Sequence, residues 1–200
     1  MLDLSARSFA WIMSHAAHHY QRLAFDRKRE LFSDLRGTVV GTGANFTFVP
    51  AGVRWIAIEP NRYMHSSLRR AALASGVDFE VRQARIEDID IPDRTADAVV
   101  STLVLCSVGN QQKAMQEVRR ILKHGGAFIF LEHVAADRGM MLRCVQHCVQ
   151  PVLRCLADGC RPVRDTAEAI QSAGFSEVSI ERFRLPLGPL GPHIAGLAIR

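Results

Sequence analysis

The sequence predicts an α/β domain with a doubly wound, mostly parallel sheet and an antiparallel C-terminal strand. Three observations carry this. Short β-branched or apolar stretches alternate with helical stretches through the middle of the chain, the pattern of right-handed βαβ crossovers. The stretch from Ala98 to Leu105 is apolar almost without a break, as in a strand covered on both faces. The last two strand-like stretches are joined by a Pro/Gly loop from Pro186 to Pro192 with no helix between them, so they should pair antiparallel.

From about Ser5 to Phe32 the chain reads as helix. Phe9, Ile12, Met13, Ala16, Ala17, Tyr20, Leu23 and Ala24 recur at three- and four-residue steps. Residues 1–33 therefore form an N-terminal helical segment ahead of a core over 34–200, within one domain. Thr38-Val39-Val40 is a short first strand. Val53 to Ile58 is the second, followed by a helix from Tyr63 to Ala74 that Gly76 closes. Phe79 to Arg82 is the third strand and Ala98 to Leu105 the fourth. Asn110 to Leu122 is a helix with Ala114, Val118, Ile121 and Leu122 inward, stopped by His124-Gly125-Gly126. Ala127 to Leu131 is the fifth strand. Met140 to Leu156 is an amphipathic helix interrupted near Pro151. Asp165 starts another helix, which ends at Gly174. Glu177 to Phe183 alternates as a half-exposed edge strand, and His193 to Ile199 is the last strand.

Composition narrows the function classes. The 200 residues suit one domain with one core. The net charge of +5 is spread over short clusters such as Arg27-Lys28-Arg29, Arg69-Arg70 and Arg119-Arg120, which read as solvated helix faces rather than a nucleic-acid surface. Five cysteines, Cys106, Cys144, Cys148, Cys155 and Cys160, show no paired spacing, so a disulfide framework is not expected. Cys144 and Cys148 would share a helical face near His147, but without a CxxC pair the sequence predicts no metal. No signal peptide or bilayer-length apolar run is visible, and the expected compartment is the reducing cytoplasm.

In a doubly wound sheet, ligands sit outside the carboxyl ends of the strands. Gly41-Thr42-Gly43 follows the first strand, and Glu59 ends the second. Glycines let a backbone approach a ligand, and an acid at this spacing accepts hydrogen bonds from the hydroxyls of a ribose. Together they point to a nucleoside-type ligand in a Rossmann-like domain. The third strand exits through Arg85-Ile86-Glu87, where Ile86 would cover a base ring and Glu87 accept from its exocyclic amine. The apolar fourth exit, from Thr102 and Leu103 to Val108, suits a site that excludes water.

These residues resemble the class I S-adenosylmethionine-dependent methyltransferases. Glu59-Pro60-Asn61, Ile91-Pro92-Asp93 with Asp97 to Val100, and Glu117 to Gly126 match that family's motifs in order. A narrower resemblance, to the methyltransferase-like proteins that methylate alkyl thiols, rests on Gly41 to Phe46 (which includes Asn45), Thr102 to Val108, Gly125 to Phe128 with Glu132 to Ala136, Asp158 to Cys160, and Pro192 to Ile194. The resemblance implies S-adenosylmethionine as cofactor and Gly41, Thr42, Gly43, Asn45, Glu59, Pro60, Asn61, Arg85, Ile86, Glu87, Thr102 and Leu103 as its contacts. The family pattern also has an acid and a further glycine between the first strand and the loop. Here Val40 meets Gly41 directly, which predicts weakened or lost cofactor binding. Two outcomes stand: an active methyltransferase, or a non-catalytic relative. A nicotinamide dehydrogenase has no support after Gly125.

The chemistry the resemblance implies is displacement at a sulfonium methyl, which needs positioning and desolvation more than a strong base. His133 and Asp158 are the candidate general bases. Cys160 reads as a packed thiol, with a substrate contact as the alternative. The apolar side chains of the N-terminal helix and of Met140 to Cys160 point to a small lipophilic acceptor, and the same faces suit a membrane surface.

Overall fold

The computed structural model describes residues 6, 7, 9, 10, 18–41 and 45–200. Thr42 and Gly43 lie outside the described residues, as does His15.

Seven strands form one sheet: β1 (Thr38–Gly41), β2 (Arg54–Ile58), β3 (Asp78–Arg82), β4 (Ala96–Thr102), β5 (Leu122–His133), β6 (Glu177–Arg184) and β7 (Pro192–Ile199). Their order is β3-β2-β1-β4-β5-β7-β6. β1 to β5 pair in parallel, whereas β7 runs antiparallel to both β5 and β6. The strand order reverses between β1 and β4, which places the switch point there. The helices are α1 (Phe25–Leu31), α2 (Arg62–Ser75), α3 (Gln111–Ile121), α4 (Met141–Leu156) and α5 (Thr166–Gln171). Residues 18–23, just before α1, are helical too.

The strand pleat divides the core in two. Val39, Trp55, Ala57, Ala98 and Val100 face one side, where Leu68 and Ala72 of α2 cover them with Phe32 and Phe46. Val40, Ile56, Ile58, Val99 and Phe128 face the other, under Ala114, Met115, Val118 and Ile121 of α3 and Ile170 of α5. The N-terminal helical segment adds a third cluster in which Ala24 meets Leu131 and Ala195.

Local chemistry sets the ends. The Asn61 side chain accepts the Tyr63 N–H and starts α2, and Gly76 ends it at φ 66°. The Asn110 side chain caps α3 through the Lys113 N–H. β5 begins at Leu122, directly after α3, rather than past Gly126. α4 is not interrupted at Pro151. The carbonyl that proline leaves without a helical donor belongs to His147, an exposed residue that water can satisfy. Gln146 on the same helix is fully buried and pins α4, donating to the Val134 and Pro189 carbonyls and accepting the Ala136 N–H.

The basic clusters are not all solvated faces. Lys28 is 2% exposed, four residues after buried Ala24 and four before buried Phe32. Arg120 pairs with Glu117 and Asp93 at 2.8 Å each. No helix among the described residues is long and apolar enough to cross a membrane.

Gly41 has a packing reason to be glycine. A Cβ there would lie 1.9 Å from the indole of Trp55, a fully buried ring with no room to retreat. Gly41→Ala should lower the unfolding free energy by about 1–3 kcal/mol in urea denaturation; unchanged stability would show that the indole is not the wall.

Candidate active site

The carboxyl ends of β2, β1, β4 and β5 meet along one edge. At the β2 exit Glu59 accepts the Asn61 N–H at 2.8 Å. Burial, with a smaller push from Asp158, raises its pKa to about 7 against that hydrogen bond. No cation pairs with Glu59 among the described residues. Pro60 is exposed. Asn61 is buried, and its amide also donates to the Ala6 carbonyl at 2.9 Å.

Past β1, Asn45 is 1% exposed. Its carbonyl oxygen accepts from Lys28 Nζ at 2.8 Å, and its amide donates to Thr102 Oγ1 at 3.3 Å. The Asn45 amide thereby ties the β1 and β4 exits together and joins both to the buried Lys28 ammonium. Burial lowers Lys28 to about 8, and no carboxylate pairs with it among the described residues. Its positional signal was its place in the apolar stripe of the N-terminal helix.

At the β3 exit Ile86 lies in the core, and Arg85 is exposed. Glu87 accepts the Gly109 N–H at 2.6 Å and the Asn110 N–H at 3.4 Å, with Arg85 at 3.8 Å from its other oxygen. Much of the hydrogen-bonding capacity of Glu87 is thus spent inside the fold.

The β4 exit turns sharply. Leu103 adopts φ 55°, a left-handed conformation that a side chain resists unless its surroundings impose it. The imposing group is Glu132, fully buried near the end of β5. One carboxylate oxygen accepts the Ser101 hydroxyl at 2.6 Å and the Val104 N–H at 3.1 Å; the other accepts the Leu105 N–H at 3.1 Å. Burial and the charge of Cys106 raise its pKa to about 7, opposed by those donors. Sequence reading placed Glu132 only at a strand end. An acid inside an apolar strand was its signal.

The loop that Glu132 holds delivers Cys106 to His133 and Cys160. The two sulfurs and an imidazole nitrogen all lie within 4.8 Å of one another, with Cys160 Sγ 3.2 Å from His133 Nε2. All three residues are buried. The hydrogen bond from Cys160 holds the Cys106 thiol well below its ordinary pKa against burial. Burial pulls His133 down, but the neighbouring Cys106 sulfur and Glu132 outweigh it and raise it. His193 stands with its ring centroid 6.3 Å from that of His133 and is lowered to about 4, chiefly by burial. Asp158 sits in the turn before Cys160 at φ 49°. It reaches solvent, yet crowding by the protein raises its pKa, and Cys106 adds to that rise.

His133 and Asp158 therefore share a neighbourhood with Cys106, and Asp158 also acts on Glu59. The cysteines singled out by spacing do not gather: Cys144 and Cys148 are exposed. A separate cavity of about 550 Å³, lined by Arg27, Asp97, Lys123, Gly126 and Leu197 among others, includes none of the predicted site residues.

The methyltransferase domain family matches residues 39–130. Human thiol S-methyltransferase TMT1B is 35% identical over 96% of this chain and 86% of its own. Human thiol S-methyltransferase TMT1A is 34% identical over 90% of this chain and 81% of its own. Among solved structures, an S-adenosylmethionine-dependent methyltransferase from Thermotoga maritima superposes with a TM-score of 0.67 at 19% identity, covering 98% of this chain and 99% of its own.

Removing the Glu132 carboxylate would strand three donors, of which the Ser101 hydroxyl and the Leu105 N–H are buried and the Val104 N–H half-buried. Each costs about 1–3 kcal/mol when left unmade. Glu132→Ala should lower stability by about 3 kcal/mol or more in denaturant unfolding. A loss under about 1 kcal/mol would show that the loop stands without it.

Proposed function

The chain belongs to the S-adenosylmethionine-dependent methyltransferase family that includes these thiol S-methyltransferases, and from that premise we propose that it methylates a small, lipophilic thiol. S-adenosylmethionine is the cofactor; bound, it supplies an electrophilic methyl group on a sulfonium. One observation supports the reading above the others. A half-buried acid without a cation among the described residues, Glu59, and a buried imidazole, His133, stand at exits of the same sheet edge, with Asp158 acting on the acid.

The residues present fit the cofactor. Glu59 spends one oxygen on the Asn61 N–H and has acceptor capacity left for ribose hydroxyls, which the raised pKa shows to be a poorly compensated carboxylate. Thr42 and Gly43 belong to the same proposed contact set with Gly41, Asn45, Pro60 and Asn61, and Arg85, Ile86 and Glu87 would border the base. The buried Thr102 and the strained Leu103 form the wall where water must be excluded.

A thiol is an acceptor this site can serve. A free thiol has a pKa near 8.5, so a modest fraction is already thiolate at neutral pH and only a nearby proton acceptor is required. His133, whose pKa is raised, and Asp158 fill that role in this reading. The lipophilic preference rests on α4, which shows Met141, Val145, Val152 and Leu156 to solvent; the same residues suit a membrane surface.

A second reading, a methyltransferase fold with a weakened donor site, is favoured by two observations. The last residue of β1 is packed against Trp55, and Lys28 meets the Asn45 amide past β1 rather than an acid.

Titration calorimetry separates the two. S-adenosylmethionine should bind saturably at pH 8 and more weakly as pH falls through 7. Protonated Glu59 cannot accept from a ribose diol, so binding expels its proton, with a limit of about tenfold per pH unit. Glu59→Gln should weaken binding by about 10- to 100-fold and flatten this profile. Absence of heat from the unaltered protein supports the weakened site. Methylation of an amine or catechol in place of an alkyl thiol would remove the acceptor assignment.

A further inference from the structure

We propose that Cys106, Cys160 and His133 form a binding site for a thiophilic divalent cation of the zinc type, with a fourth position open to the acceptor thiol. The proposal rests on the reading of the chain as a thiol methyltransferase and adds a metal to it.

The donor set carries the argument. Two thiols and an imidazole nitrogen lie within 4.8 Å of one another, all on buried residues. Two thiolates and one imidazole on a tetrahedral ion at ligand distances of about 2.0–2.3 Å is a known catalytic zinc composition, with a fourth position left free. Spacing along the chain could not reveal it, because the ligands come from three segments: the loop after β4, the end of β5, and the turn after α4.

Those segments are fastened to one another. Glu132 accepts the Val104 and Leu105 N–H groups on the Cys106 side. The Arg161 N–H donates to the Cys106 carbonyl at 3.0 Å, and the Ala135 N–H donates to the Arg164 carbonyl at 3.1 Å. The Arg164 guanidinium donates to the Leu105 carbonyl at 2.9 Å. Asp158 and Gly159 both adopt positive φ, 49° and 81°, to bring Cys160 round. Such support holds donors in place before any ligand arrives.

A second observation is independent of the sulfurs. Among the described residues, His133 Nδ1, His193 Nε2 and the Tyr20 hydroxyl are buried without hydrogen-bond partners. Their rings form one chain: Tyr20 stacks on His193 at 5.8 Å, and His193 meets His133 at 6.3 Å. Buried polar atoms are rarely left unmatched. Three beside one cluster mark a place for a polar occupant. His193 Nδ1 is engaged with the Gly191 carbonyl at 2.8 Å, which leaves the buried Nε2 as a hydrogen-bond acceptor.

The chemistry follows. With a cation held by Cys106, Cys160 and His133, the imidazole would serve as a ligand rather than as the proton acceptor, and an alkyl thiol in the fourth position would release its proton to water. The thiolate sulfur then forms a bond to the sulfonium methyl carbon. The sulfonium–methyl bond breaks, and its electron pair stays on the departing thioether. No oxidant or reductant takes part.

The test uses cobalt(II) as a spectroscopic probe on chelator-treated full-length protein. One equivalent should give tetrahedral visible bands and a thiolate charge-transfer band, both abolished by zinc(II). Cys106→Ser or Cys160→Ser should lose the charge-transfer band and weaken zinc binding by more than about 10-fold. Cys144→Ser, altered on the exposed face of α4, should keep it. Addition of 2-mercaptoethanol should shift the visible bands. Cobalt binding to the unaltered protein without a thiolate band overturns the site, and this readout does not depend on any variant folding. A thiolate band that 2-mercaptoethanol leaves unmoved overturns the open position. Full thiol methylation by protein shown metal-free by elemental analysis overturns the metal while preserving the thiol reading. A cobalt-binding protein that methylates no thiol does the reverse.

Discussion

A carboxylate removed from water must be met by donors on the oxygens that carry its charge. Glu132 meets that condition with a hydroxyl and two backbone N–H groups, all from the chain leaving β4. The same three bonds hold Leu103 left-handed and aim the following loop back across β5. Cys106 takes its place beside His133 from that interaction, and the turn through Asp158 and Gly159 brings Cys160 to meet them. An apolar side chain of similar size would fill the space without organising the donors.

The other half of the edge is built differently. There the ordering groups are a buried amide and a buried amine: Asn45 joins Lys28 to Thr102, and the N-terminal helical segment becomes part of the site wall. The rings of Tyr20 and Phe48 lie 5.4 and 5.6 Å from the Lys28 nitrogen, distances at which a cation is attracted to a π-face. That attraction, with one hydrogen bond, replaces an ion pair. Burial without a counter-charge explains why Lys28 holds its proton less tightly than an exposed lysine.

These two halves suit one reaction. Methyl transfer from a sulfonium asks the protein for a dry, shaped wall and a grip on the donor rather than for a strong base. Glu59 can supply the grip and the β4 exit the wall. What remains for the acceptor side is to hold a thiol with its proton removed. A cluster of two sulfurs and an imidazole beside unmatched polar atoms offers that, through a metal in the proposed arrangement.

The architecture was legible in the sequence because it follows from local periodicity. The alternation of strands and helices, the apolar run of β4, the edge character of β6 and the antiparallel return of β7 all rest on patterns a few residues long. The acid Glu59 was legible for the same reason, since its distance from Gly41 is a property of one βαβ unit. What only the tertiary structure decided involves residues far apart in the chain. Gly41 answers to the Trp55 ring on a neighbouring strand, and Glu87 closes the loop before α3. Lys28, one of three adjacent cations, became the buried one, and Cys106 came to face Cys160. Hydrophobic pattern is written along a strand or helix, but hydrogen bonds and sulfur contacts between segments depend on how loops close, and loop closure is set by the packed fold around them.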